Sequence, residues 1–189
     1  MLAFDLETTG LDPVLDQITC AGVYDPAGGI ERVFFFTLGD SREEFMRLLD
    51  RADRLCAFNG ADFDLAFISA QLGPSQERVR MWRLKLYDVY VACKWGLGLT
   101  FSLQALLEVN NLAGKTGSGG EAIALFHEKR WVELGAYCLH DTRMTHRVSS
   151  LEAIALPRCS GLHLLPNGSF VRGSSHSVSL GADSRVSML

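Results

Sequence analysis

Near the amino terminus, the run FDLETTG (Phe4 to Gly10) sets two carboxylates, Asp5 and Glu7, two positions apart in apolar surroundings and ends on a glycine. In an extended strand, residues i and i+2 point to the same face, so both acids project side by side. Two like charges about 4 Å apart repel by roughly 4 kcal/mol at an effective dielectric near 20. Three arrangements relieve that repulsion: exposure at the strand end, protonation of one acid, or a cation between them. A solitary Asp-x-Glu leaves all three open, and Thr8-Thr9-Gly10 reads equally as a plain turn.

Two further stretches add groups of the same kind. In AFNGADFDLAFI (Ala57 to Ile68), Asp62 and Asp64 fall in the first turn of an expected helix behind an apolar strand. Acids there complement the helix dipole or cap the helix, which suffices for Asp62. Asp64 stands between Phe63 and Leu65, where a carboxylate without a partner is costly. In YCLHDTRMTHR (Tyr137 to Arg147), Tyr137 and Asp141 are at i and i+4 on an expected helix, so a phenol and a carboxylate can converge on one spot. Taken alone, that pair fits a half-buried core aromatic beside a helical salt bridge just as well.

Together, FDLETTG, FNGADFD and YCLHD resemble, in order and spacing, the three motifs of the DEDD superfamily of 3′-5′ exonucleases, whose fold is ribonuclease H-like. The third motif, Tyr-x-x-x-Asp, is that of the DEDDy variant. The DEDDh variant has a histidine five residues before the last aspartate, where this chain has Ala136. The interval from Asn59 to Asp64 is similar to that in the exonuclease domain of family B DNA polymerases and its free-standing relatives, and the resemblance covers roughly residues 2 to 155.

The resemblance implies that Asp5, Glu7, Asp64 and Asp141 hold two divalent ions, Mg²⁺ or Mn²⁺, whose charge they balance. It implies that Tyr137 orients the nucleophilic water, since a phenol with a reference pKa near 10 is a poor base at neutral pH. Thr8, Thr9, Gly10 and Asn59 become candidate substrate contacts. The expected reaction is hydrolysis from the 3′ end of single-stranded DNA or RNA with release of nucleoside 5′-monophosphates. The alternative is a non-catalytic nucleic-acid-binding or assembly module with the same fold. A polymerase or helicase chain is a candidate partner.

The elements that must position these groups are legible in outline. The chain has 189 residues, 48% of them apolar, enough for one globular core. LAFDL, QITCAGVYD and IERVFFFTL read as strands, the last two a hairpin around PAGG. DSREEFMRLLDRAD reads as a helix, RLCAF as the next strand, and ADFDLAFISAQLG as a second helix ending at Gly73-Pro74. Helices are expected over roughly 89–95, 102–110, 121–129 and 131–156. The fold class is therefore α/β, a mixed sheet beginning with an antiparallel meander and carrying packed helices. Residues 1–158 form the expected exonuclease domain, and 159–189 a hairpin around Asn167-Gly168 followed by a Ser/Gly-rich tail.

Composition narrows the setting. A net charge of −4 and a pI of about 5.7 do not mark a polyanion binder in bulk, so affinity for nucleic acid must come from a local patch or from metal ions. Five cysteines without a Cys-x-x-Cys pair read as reduced, intracellular thiols. No run of apolar residues is long enough to predict a membrane span. Two other signals carry less. AGKTGSGG lacks the leading glycine and strand of a phosphate-binding loop, leaving Lys115 as a candidate phosphate contact. RVRMWRLK (Arg78 to Lys85) sets basic residues around Trp82, a candidate for phosphate binding and base stacking.

Overall fold

The protein is described by a computed structural model covering residues 1–114 and 119–173. The expectations for Lys115 and for the tail beyond 173 lie outside the described residues.

The first strand, β1 (Leu2–Thr8), alternates as its sequence requires. Leu2, Phe4 and Leu6 enter one core, and Asp5 and Glu7 take the opposite face. β1 pairs antiparallel with β2 (Ile18–Asp25), and β2 with β3 (Ile30–Phe34), giving the expected meander. The chain then forms a short 3-10 turn (Phe36–Leu38) and helix α1 (Arg42–Arg51). Ser41 caps α1 by accepting from the Glu44 amide at 3.1 Å, a bond of the kind that contributes about 1 kcal/mol. β4 (Leu55–Ala57) returns parallel to β1, α2 (Asp64–Gln71) and α3 (Gln76–Lys85) cross over, and β5 (Leu86–Asp88) pairs parallel with β4. The sheet order is β3-β2-β1-β4-β5.

Helices α1, α2 and α3 cover the Leu2-Phe4-Leu6 face, contributing Phe45, Leu49, Phe67, Ile68 and Trp82 to its core. The basic stretch around Trp82 is thus corrected from a stacking surface to α3. Trp82 is 0% exposed and donates its indole N–H to Asp50 at 2.8 Å. Arg78 is bound by Glu43 and Asp50. Removing an indole from water outweighs any advantage of leaving it at the surface.

The remaining helices are α4 (Val89–Leu97), α5 (Leu103–Val109), α6 (Gly119–His127) and α7 (Trp131–Ser149). α7 crosses the acid-bearing face of β1 and β2 with α6 beside it. It stops seven residues short of the expected end. Asn110 supplies the reason: its side chain accepts from the Ala155 amide and donates to the Ala155 carbonyl, both at 2.9 Å, holding that residue extended. Ile154–Ala155 accordingly form β6, which joins β7 (Leu162–Leu164) and β8 (Phe170–Arg172) in a second antiparallel sheet. Among the described residues, no helix is long and apolar enough to cross a membrane.

Candidate active site

Asp5 and Glu7 stand on the face of β1 that α7 covers, and Glu7 is 9% exposed. Their carboxylate oxygens and the Cys138 sulfur all lie within 4.8 Å of one another. Asp64, 2% exposed, opens α2, and its Oδ1 accepts the Leu6 amide at 2.8 Å. β1 pairs with β4 through Leu2 and Ala3, and beyond them the Leu6 N–H is satisfied by Asp64 instead of a strand neighbour. One hydrogen bond thereby fixes the second motif against the residue between the two acids of the first.

α7 brings the third motif. Tyr137 and Asp141 are both buried on the same helical face, and a hydrogen bond joins their side chains. Burial raises the Tyr137 phenol far above its ordinary value, reinforced by the negative charges of Asp141, Glu7 and Asp5 and by its bond to Asp141. Burial likewise raises Asp64, reinforced by Asp5 and, more weakly, Asp88, against the Leu6 amide bond. Asp5 thus acts on both Asp64 and Tyr137, and Glu7 and Asp141 act on Tyr137, so the expected acids share one region, with Asp5 and Glu7 its tightest pair. Carboxylates crowded in this way, offering oxygen donors only, fit hard divalent cations such as Mg²⁺ or Mn²⁺. Cys138 does not extend that set. Its bond with Cys20 first, then burial and the nearby acids, keep its thiol protonated, and it donates weakly to the Asp5 carbonyl at 3.8 Å.

The loop after β1 is braced internally. Thr8 Oγ1 donates to the Gly10 carbonyl at 2.6 Å, and Thr9 Oγ1 accepts from the Gln17 amide at 3.0 Å. A Cβ on Gly10 would overlap the Asp16 carboxylate, so the space beside this glycine is filled by the protein itself. At the far end of α2, Gln71 donates to the Pro13 and Asp16 carbonyls and accepts from the Ile18 amide. Asn59 adopts a left-handed conformation (φ 65°) in the turn after β4.

The residue that sequence reasoning missed is Asp88. It is 7% exposed, and its Oδ1 accepts from the Asn59 and Val91 amides at 3.0 and 3.1 Å while Oδ2 accepts from Ala61 at 2.9 Å. It caps α4 and holds the turn leading to Asp64 with one side chain. The available signal was an acid placed directly after Leu86 and Tyr87 and directly before a helical run. Gly22, opposite Asp5 in the β1–β2 register, was missed as well. A Cβ there would overlap Thr142 Oγ1 and lie 3.1 Å from Cys138 Sγ, so its absence is what lets α7 sit close over the acids.

A family model described as the RNase H superfamily matches residues 2–151. The chain belongs to that superfamily, and its mixed sheet with packed helices is the ribonuclease H-like fold. Among solved structures, the family B DNA polymerase of the hyperthermophilic archaeon Pyrobaculum calidifontis is similar at 19% identity with a TM-score of 0.56. That match covers 77% of this chain and 23% of the polymerase. E. coli exonuclease I, solved with a dT13 oligonucleotide, is 14% identical with a TM-score of 0.40, over 72% of this chain and 41% of that one. No curated protein matches the chain in sequence.

Proposed function

We propose that this chain is a DEDDy-type 3′-5′ exonuclease that removes nucleoside 5′-monophosphates from the 3′ end of single-stranded nucleic acid. The observation that carries the reading is the convergence of Tyr137 on Asp141, Glu7 and Asp5, with Asp64 bonded to Leu6 between the last two. Membership of the RNase H superfamily supports nuclease chemistry in general. Asp5, Glu7, Asp64 and Asp141 would hold two Mg²⁺ or Mn²⁺ ions, which supply activation of water and stabilisation of charge on the phosphate oxygens. The protein's own share is positioning. Tyr137 keeps its proton, donating it in a hydrogen bond to Asp141, which fixes the direction of the phenol, and its oxygen would accept a hydrogen bond from the water in place of acting as a base. Thr8, Thr9, Gly10 and Asn59 would lie along the approach to the acids, in a loop and a turn already braced by the threonine hydroxyls and by Asp88.

Residues 1–158 would form the exonuclease unit and 159–189 an appendage, with a polymerase or helicase supplied as a separate chain. Described cysteines that are free thiols support a reducing, intracellular setting. The deciding experiment follows 5′-labelled single-stranded DNA and RNA in Mg²⁺, Mn²⁺ and EDTA. Stepwise shortening that EDTA abolishes, and that Asp5→Ala and Asp141→Ala remove from a folded protein, is the expected result. Oligonucleotide binding with no cleavage in either metal would overturn it.

A further inference from the structure

α4 begins directly behind Asp88 and leaves the sheet at the end where Asp64 lies. Its last turn presents a group that neither the fold nor the carboxylate cluster uses. Trp95 is 72% exposed, unlike Trp82 in the core. Lys94 Nζ lies 5.2 Å from the Trp95 ring and 6.0 Å from that of Tyr90, and is paired at 3.0 Å with Asp62, two residues before Asp64. Tyr90 in turn packs on Phe58, which follows β4, at 5.2 Å, and on Phe101 at 6.0 Å. The other sides of the helix are closed: Cys93, nearly opposite Trp95, is fully buried, and a Cβ on Gly96 would sit 2.9 Å from Phe170 in β8. Trp95 is therefore held outward on a backed helix. Trp95 lies seven residues beyond Asp88, about 10 Å along the axis at helical rise.

We propose that Trp95, Lys94 and Tyr90 form the rim that receives the single strand just upstream of the nucleotide being removed. This rests on the nuclease reading for its direction and not for its chemistry. An exposed indole offers a base-sized apolar face, worth about 1–3 kcal/mol per stacked base. Lys94, poised between two rings, can exchange the Asp62 carboxylate for a backbone phosphate, and the surrounding π-faces keep its ammonium near the stacking surface. In a chain of net charge −4, a local cation of this kind supplies the attraction that the bulk lacks.

The test is fluorescence anisotropy of labelled oligothymidylate and oligouridylate in Ca²⁺, with cleavage measured separately in Mg²⁺ and Mn²⁺. Trp95→Ala is expected to weaken binding about tenfold while leaving the melting temperature unchanged. Lys94→Gln is expected to reduce the slope of log affinity against log salt by about 0.7. Val132→Ala, at a side chain equally open to water on α7, is expected to bind like the wild type. Wild-type affinity in Trp95→Ala and an unchanged salt slope in Lys94→Gln would overturn the rim. Trp95-dependent binding without cleavage by the wild type would uphold the rim and sink the nuclease reading; cleavage with Trp95-independent binding would do the reverse.

Discussion

Asp5 and Gly22 face each other across β1 and β2, and the side chain Gly22 lacks is replaced by Thr142 and Cys138 of α7. The helix that carries Tyr137 and Asp141 is therefore set at its height above Asp5 by a missing methyl group. Gly22→Ala is expected to cost about 1–3 kcal/mol from overpacking and to lift α7 from the acids. Urea unfolding and nuclease assays on the same preparation check this: activity should fall by more than the loss of folded protein explains. Full activity would show that α7 accommodates the methyl elsewhere.

Asp88 positions the turn before Asp64 through two amide bonds, from Asn59 and Ala61, and caps α4 through a third, from Val91. Asp88→Asn preserves shape but turns one acceptor into a donor facing an N–H. The expected cost is about 1–3 kcal/mol of stability. A displaced Asp64 should also lower kcat by about tenfold or more. Thermal melting and single-turnover kinetics read the two effects separately.

Arg78 fixes a pH dependence of known sign. Burial alone would raise Asp50, but hydrogen bonds from Arg78 and Trp82 outweigh it and hold the carboxyl below its ordinary value. The hydrogen bond from Arg78 is also the chief reason that Glu43 is lowered. As pH falls, the unfolded chain takes up these protons first. The stabilisation is complete above about pH 5 and is lost as pH drops through the folded-state values. Arg78→Met is expected to lower stability by about 1 kcal/mol near neutral pH through its partly exposed Asp50 pair. The gap from wild type should close in acid, as urea midpoints at both extremes would reveal.

Trp82 is a core residue and Trp95 a surface one, so their substitutions should separate cleanly. Trp82→Ala is expected to cost about 3–5 kcal/mol. Trp82→Phe should keep oligonucleotide affinity, giving up only packing volume and the bond to Asp50. Weakened binding in a folded Trp82→Phe protein would reinstate the basic stretch as a nucleic-acid contact.

What the sequence made legible depended on how local the cause was. The pairing of Asp5 with Glu7 follows from the two-residue period of a strand, and that of Tyr137 with Asp141 from one helical turn; both are found in the structure. The meander was legible because β-branched and aromatic runs flank a turn. α3 and β5 were not, because Arg78 and Trp82, which suggested a nucleic-acid surface, are engaged by Glu43 and Asp50, far back in the chain. The end of α7 was overrun for a similar reason, since Asn110 extends Ala155 from a distant helix. Asp88 acts on backbone amides, which leave no pattern in side-chain spacing, and the need for Gly22 exists only once α7 is docked.

Gln71 and Asp64 sit at the two ends of α2, one bracing the loop after β1 and the other bonded to β1 itself. At eight residues, the helix is about 12 Å long. It works as a spacer bar, so the distance between the anchored loop and the acids is gauged by helix length and not by loop flexibility. A one-residue insertion within it would rotate Gln71 away from its carbonyls and let the loop go while leaving every acid in place.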